Sequence, residues 1–259
     1  TFGIKAYNRW KITEIVKRIR EYDLLLMGGG SLLQDATSPR SVIYYLGIVL
    51  TAKLCNKPVV FYAQGVGPIR QTLSKRLIHF IVNKVNVITV RDYESGEDLK
   101  RFGVTKVPII VTADPAVTIP RESIDLAWGK EIIAETGVPP GKCMAICVRS
   151  WKKEERFKQV LAEVADHYAE QGWNILFVPM QYPADITPSR DIAHLMKHKA
   201  TLIDRPLNFK EIMSLLGNMD FVLGMRLHSI ILAAVMNVPF VGVSYDPKID
   251  RFIERLEMY

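Results

Sequence analysis

The sequence predicts an α/β protein made of two Rossmann-like domains facing a cleft. Three observations lead there. Short apolar runs alternate with amphipathic stretches along the whole chain, the signature of βα units on a parallel sheet. Nearly all of these runs are aliphatic or β-branched throughout, as strands covered on both faces must be. A segment with two prolines and no helical period, 114–123, breaks the alternation near mid-chain and leaves four or five strands on each side. The length of 259 residues (29.4 kDa) favours two domains over one. With 49% hydrophobic and 24% charged residues the chain has an average globular composition, which excludes disordered, collagen-like and disulfide-scaffold classes.

In chain order, a helix is expected at 12–21 and a strand at 23–27. Leu24-Leu25-Leu26-Met27 runs straight into Gly28-Gly29-Gly30-Ser31 and then Gln34-Asp35. Three glycines in a row cost backbone entropy, so either something approaches the main chain closely or positive φ is needed there. Bare amides beside Ser31 can hold an anion or a sugar hydroxyl; a tight, densely packed turn is the alternative. No Gly-Lys-Ser/Thr follows and no acidic residue closes a clear βαβ unit, so this is neither a P-loop nor a dinucleotide fingerprint. A helix at 41–54 leads to a strand at 58–63 that ends in Gln64-Gly65-Val66-Gly67-Pro68, where open α/β sheets place ligands. After a helix at 71–83 and a strand at 87–90 comes Arg91-Asp92-Tyr93-Glu94-Ser95, in which Arg91 is either a site group or half of a surface ion pair. A helix at 94–102 and a strand at 107–112 complete a first domain of residues 1–120, with Asp114-Pro115 as a turn at its edge.

The second domain, 121–259, opens with a helix at 123–136 and a strand at 143–148 that ends in Arg149-Ser150-Trp151. Arginine's planar fork suits a carboxylate or a phosphate. A helix at 154–171 and a strand at 175–179 lead into Pro179-Met180-Gln181-Tyr182-Pro183-Ala184-Asp185. That segment is either a site loop, with Gln181 and Asp185 as hydroxyl partners, or a proline-shaped connection. Beyond a helix at 189–197, a strand at 201–203 and a helix at 209–216, the strand at 221–224 runs into Gly224-Met225-Arg226-Leu227-His228-Ser229, which opens a helix at 227–236. A helix start is already an anion site through its free amides and dipole. Two arginines and a histidine at two strand ends could bind a dianion and supply one titrating proton. The strand at 240–243 ends in Ser244-Tyr245-Asp246-Pro247-Lys248, where Asp246 is a site group or the N-cap of a last helix at 247–256. That helix is a candidate to return to the first domain. The whole is a GT-B-like arrangement; an eight-stranded barrel has about this length but would not need the mid-chain break.

Thirty-four Lys and Arg against 27 Asp and Glu give +7, which suits anionic small molecules, nucleic acid or an anionic membrane surface equally well. Nucleic acid fits worst, because the cations are scattered among acidic residues with no aromatic platform beside a basic stripe. No apolar run reaches the ~18–20 residues of a spanning helix. The chain begins Thr-Phe-Gly-Ile-Lys, without a signal-peptide pattern. Cys55, Cys143 and Cys147 lie in apolar stretches without metal-type spacing, as buried thiols of a reducing cytoplasm would. No His/Cys/Asp cluster has ligand spacing, so no metal is expected. His79, His167, His194 and His198 fall on polar or lysine-rich helical faces and are expected to be solvated.

Gly28-Gly29-Gly30-Ser31-Leu32-Leu33-Gln34-Asp35, Gln64-Gly65-Val66-Gly67-Pro68, Gly224-Met225-Arg226-Leu227-His228 and Ser244-Tyr245-Asp246-Pro247-Lys248 together resemble the polysaccharide pyruvyl transferase family, in order over essentially the whole chain. The resemblance implies transfer of pyruvate from phosphoenolpyruvate onto a sugar as a ketal, with release of phosphate and no further cofactor. It is nearest to the branch whose acceptor is a β-linked N-acetylmannosamine of a lipid-diphosphate-linked saccharide, giving a 4,6-ketal on the secondary cell wall polymer that anchors S-layer proteins. By similarity Arg149, Arg226 and His228 surround phosphoenolpyruvate, with Leu227 and Ser229 beside them as donor-binding residues. The acceptor is expected against Gly29, Gly30, Ser31, Gln34, Asp35, Gln64, Gly65, Gln181 and Asp246. Family members usually start with a strand and a Gly-Asn-x-Gly-Asp-Glu-like loop not found ahead of Thr1, and Tyr259 is an early end, so the chain is expected to be incomplete at both ends. Basic stretches such as 75–84 and 152–158 would help a cytoplasmic enzyme reach a lipid-linked acceptor at the anionic inner face of the cell membrane. The rivals are a nucleotide-sugar glycosyltransferase, against which no clear Glu follows the Met-Arg-Leu-His helix start before Asp246, and a sugar- or polyanion-binding module without activity.

Overall fold

The computed structural model describes residues 4–35, 38–151 and 156–257. They fall into two compact units, Thr1–Pro115 and Ala116–Tyr259, each an all-parallel sheet flanked by helices.

In the first unit α1 (Ile12–Glu21) precedes β1 (Leu25–Met27) and β2 (Gly30–Leu33). Both short strands pair in parallel with β3 (Val59–Val66), Leu25 opposite Val59 and Gly30 opposite Gln64. The strand expected at 23–27 is thus observed at 25–27, and beyond Gly28-Gly29 a second, unexpected strand begins at Gly30, whose φ of +99° is a conformation only glycine adopts freely. β3 also runs past 63, so Gln64 and Gly65 lie within a strand rather than in a loop. α2 (Pro39–Leu54), α3 (Thr72–Val82) and α4 (Tyr93–Arg101) alternate with β4 (Val87–Val90) and β5 (Ile109–Val111), in the sheet order β1-β3-β4-β5. Leu33, Val42, Leu46, Val49, Phe61, Ile78, Ile88 and Leu99 form the core of this unit.

Two short 3-10 turns, Pro115–Thr118 and Arg121–Ser123, occupy the proline-marked segment. α5 (Leu126–Glu135) starts later than expected because Asp125 caps it, accepting from the Ala127 N–H at 2.9 Å. β6 (Cys143–Cys147) is buried on both faces. Cys143, Ala145 and Cys147 join one apolar cluster, and Met144, Ile146 and Val148 the other. There follow α6 (Arg156–Glu170), β7 (Asn174–Phe177), α7 (Ile186–Leu195), β8 (Thr201–Leu202), α8 (Phe209–Leu216), β9 (Phe221–Gly224), α9 (Leu227–Val235), β10 (Phe240–Gly242) and α10 (Pro247–Arg255). The start of the helix expected from 154, and Lys152 and Lys153 of the basic stretch, lie outside the described residues. α10 buries Ile249 and stacks Phe252 on Phe240 of β10.

The order β10-β9-β6-β7-β8 marks a candidate ligand position. The chain leaves β6 towards β7 and β8, then returns to the other side of β6 for β9. Open parallel sheets bind ligands outside the carboxyl ends of strands at such a reversal, here between β6 and β9. Among the described residues the first unit has no such reversal.

Candidate active site

β6 and β9 run in register, Cys147 opposite Gly224, and the Met225 N–H donates to the Cys147 carbonyl at 2.8 Å. Arg149 and Arg226 each lie two residues beyond that pair, so both leave adjacent strands at the same end of the sheet.

The two arginines are held differently. The Nε–Nη2 edge of Arg226 is occupied by the carboxylate of Asp185, with Nε donating to Oδ2 at 3.2 Å and Nη2 to Oδ1, and the Asp185 side chain is fully buried. Asp185 Oδ2 also accepts from the Gln181 N–H at 2.8 Å. Such a pair fixes the guanidinium and leaves its Nη1 end to a ligand. Arg149 instead donates from Nη1 to the Tyr245 hydroxyl at 2.9 Å and from Nε to the Ser150 carbonyl at 3.3 Å, with its guanidinium carbon 5.2 Å from the centre of the Tyr245 ring. Tyr245 in turn tilts against Trp151 at 6.0 Å. No carboxylate pairs with Arg149 among the described residues.

Arg226 is also the N-cap of α9, in extended backbone and without a side-chain cap, so the helix start presents its first turn at this strand end. His228 is exposed on this first turn, two residues beyond Arg226. Gly224 lets the turn sit close, since a Cβ there would lie 2.6 Å from Ile230 Cγ2.

Several expected contacts are corrected here. Ser229 is fully buried and its hydroxyl donates to the Arg226 carbonyl at 2.6 Å, so it braces the helix start and does not present its side chain to a donor. The Leu227 side chain is buried in the core. Burial, helped by the charge of Asp185 and opposed by a hydrogen bond with Ser229, pushes the nearby Cys147 thiol up to about 12. Asp185 holds Arg226 instead of a sugar hydroxyl. Gln181 is exposed beside it. Asp246 caps α10, accepting from the Lys248 N–H at 3.2 Å. His79, His167, His194 and His198 are exposed, as expected of surface groups.

In the first unit the glycine-rich strand ends prove mostly structural. Gln64 is fully buried and donates from Nε2 to the carbonyls of Met27 and Gly28, pinning the break between β1 and β2. Asp35 is buried and accepts from the N–H groups of Arg70 and Gln71 at 2.8 and 2.9 Å. Burial alone would raise its pKa, but these N–H groups and the Ser74 hydroxyl outweigh it and hold the carboxyl below its usual range. Gly65 makes room for Arg91, whose Nη2 would lie 2.6 Å from a Cβ at that position. Of the expected acceptor residues on this unit, Gly29, Gly30, Ser31 and Gln34 keep some exposure. Arg91 and Asp185 are the residues the sequence undervalued.

Known proteins share the fold and the family of this chain. The amylovoran biosynthesis protein AmsJ of Erwinia amylovora is 22% identical over 253 residues, 92% of this chain and 60% of AmsJ. Among solved structures, Anabaena Alr3699/HepE in complex with UDP-glucose superposes with a TM-score of 0.61 at 12% identity, covering 89% of this chain and 62% of that one. The UDP-GlcNAc 2-epimerase of Methanocaldococcus jannaschii gives 0.64 at 13% identity over 98% of this chain and 76% of that one, and a complex of S. aureus MnaA with UDP gives 0.64 at 12% over 98% and 68%. At such identities these likenesses show the fold alone, which is GT-B-like. The chain spans about 60% of the length of AmsJ and 62% of HepE. The family model "polysaccharide pyruvyl transferase" matches residues 2–247, and the chain belongs to that family.

Proposed function

We propose that this chain transfers pyruvate from phosphoenolpyruvate to a saccharide, forming a cyclic ketal and releasing phosphate. The observation that carries the reading is the pair of arginines at the β6/β9 reversal, one fixed by a buried carboxylate and one with no carboxylate partner among the described residues, with His228 on the helix turn that Arg226 caps. Phosphoenolpyruvate presents two anionic groups and a methylene carbon that must be protonated. Arg149 and Arg226 hold the anionic groups, and His228 as general acid donates a proton to C3, leaving an oxocarbenium-like C2. One sugar hydroxyl forms a bond to C2. The C2–O bond to phosphate then breaks, and a second hydroxyl of the same sugar closes the ring. The two hydroxyl protons balance the reaction: one restores the acid that protonated C3, and the other leaves with phosphate.

A saccharide acceptor is supported by the family match and by the likeness to a polysaccharide biosynthesis protein. We take it to be a β-linked N-acetylmannosamine on a lipid-diphosphate precursor of an S-layer-anchoring polymer, ketalised at O4 and O6 and resting on Gly29, Gly30 and Ser31. The +7 charge suits peripheral contact with an anionic inner leaflet, and among the described residues no helix is long and apolar enough to cross a membrane. A second reading, nucleotide-sugar transfer, draws on neighbours solved with UDP or UDP-glucose.

The test is phosphate release by the full chain from phosphoenolpyruvate, with a synthetic N-acetylmannosamine-containing lipid diphosphate as acceptor. Acceptor-dependent release that falls about 10²–10⁴-fold in His228→Ala supports the reaction and the role. A wild-type chain that releases none, yet turns over a UDP-sugar, refutes it in favour of the second reading.

A further inference from the structure

Arg91 is the one arginine buried among the described residues, 8% exposed, and the proposed reaction does not use it. It follows β4, and its guanidinium lies flat over Gly65. Nη1 meets Asp114 Oδ2 at 3.2 Å and Nε meets Asp92 Oδ2 at 3.5 Å, so two carboxylates offset its charge. That makes it a poor anion site. Nη2 donates to Ser31 Oγ at 3.1 Å.

This last bond fixes a polarity. A serine oxygen that accepts from a guanidinium has its own proton directed elsewhere. Ser31 is half-buried beside Gly28 and Gly30, where an added Cβ would meet nothing within 4 Å, and among the described residues its hydroxyl meets no second polar group. We propose that Arg91 is a positioning residue acting through Ser31: it turns the Ser31 hydroxyl into a fixed donor for a neutral oxygen of the saccharide acceptor. This rests on the reading that the acceptor lies on the first unit. It adds the chemistry of the contact, a charge-assisted donor facing an uncharged hydroxyl, ether or amide oxygen. It also gives Gly65 a purpose, since any side chain there would displace the guanidinium.

The experiment measures phosphate release by the full chain while phosphoenolpyruvate and p-nitrophenyl β-N-acetylmannosaminide are varied separately. Ser31→Ala, Arg91→Met and Gly65→Ala should each raise KM for the glycoside about tenfold, the size of one lost hydrogen bond that a charge supports. KM for phosphoenolpyruvate should stay within about twofold of wild type, and kcat should fall far less than the glycoside KM rises. Ser31→Thr should restore most of the loss. Because Arg91 acts through Ser31, Arg91→Met should add nothing to KM in the Ser31→Ala background. Additive effects, or a rise in KM for phosphoenolpyruvate, overturn the proposal while leaving the reaction intact. If Arg91→Met does not fold, Ser31→Ala and Gly65→Ala decide, and an unchanged glycoside KM in both refutes it. If only the lipid-diphosphate acceptor supports release, its KM takes the place of the glycoside's in the same comparisons; a wild-type chain that releases phosphate with neither acceptor overturns the functional reading itself, and this inference with it.

Discussion

Replacing Asp185 by asparagine tests whether the site depends on a buried carboxylate. The change keeps side-chain volume and one acceptor oxygen but removes the charge that holds the Nε–Nη2 edge of Arg226. Removing one partner of a buried ion pair costs about 3–5 kcal/mol. Asp185 is fully buried while Arg226 keeps 20% of its side chain exposed, so water can reach the stranded cation and the lower end, about 3 kcal/mol, applies. For a unit the size of Ala116–Tyr259, about 4 °C per kcal/mol makes this a fall in Tm of roughly 12 °C. The kinetic effect is separable from the thermal one. A guanidinium displaced by about 1 Å loses its alignment with the donor, worth roughly 10²-fold or about 2.7 kcal/mol. Well below its melting transition, Asp185→Asn should therefore lower kcat/KM for phosphoenolpyruvate about 10²-fold with the acceptor KM nearly unchanged. The assay is steady-state phosphate release, with Arg226→Ala alongside. A folded Asp185→Asn variant within about threefold of wild type, beside an inactive Arg226→Ala, would show that Arg226 needs no such anchor. A lowered KM for phosphoenolpyruvate would be equally damaging, because Asp185 would then be competing with the donor rather than positioning its arginine.

Three further outcomes follow from the same coordinates. Tyr245→Phe keeps the ring under Arg149 but deletes the 2.9 Å bond to Nη1, and should raise KM for phosphoenolpyruvate about 2–10-fold; an unchanged KM in steady-state assays would show that the bond does not orient Arg149. Gly224→Ala places a Cβ 2.6 Å from Ile230 Cγ2, so the first turn of α9 must shift; scanning calorimetry should show a cost of about 1–3 kcal/mol, and a wild-type Tm would argue that the turn is not close-packed. Asp35 has its carboxyl held below the ordinary 3.8, so its stabilising effect is present above that pH and is lost as pH falls through the lower, folded-state value. The gap in Tm between wild type and Asp35→Asn should accordingly be largest near neutral pH and close below pH 3.8; a gap that widens in acid would contradict the sign.

Why some of this site could be read in one dimension and some could not has a physical answer. A parallel strand buried on both faces is an apolar run, and the run stops where side chains reach solvent. Arg149 and Arg226 stand at such stops, and the register of Cys147 with Gly224 brings the two stops side by side. His228 and the cap at Asp246 were legible for a related reason, because helix starts write their own local grammar. The role of Asp185 stays open in the sequence because its partner is 41 residues away and is reached only through the placement of β7 beside β6. Asp35 was misread for a subtler one. The N-cap of α3 is Gln71, which supplies no side-chain cap, and the N–H groups of Arg70 and Gln71 leading into that helix are satisfied by a carboxylate 35 and 36 residues earlier. Gln64 follows the same logic at the carbonyls of Met27 and Gly28, left unpaired where β1 breaks into β2. A polar side chain at a strand end is thus open to a ligand only where its partners leave a charge or a proton over. Among the described residues Arg149 and Ser31 meet that condition, since the partners they have leave a charge in one and a hydroxyl proton in the other, whereas Asp35, Gln64, Ser229 and Asp246 do not.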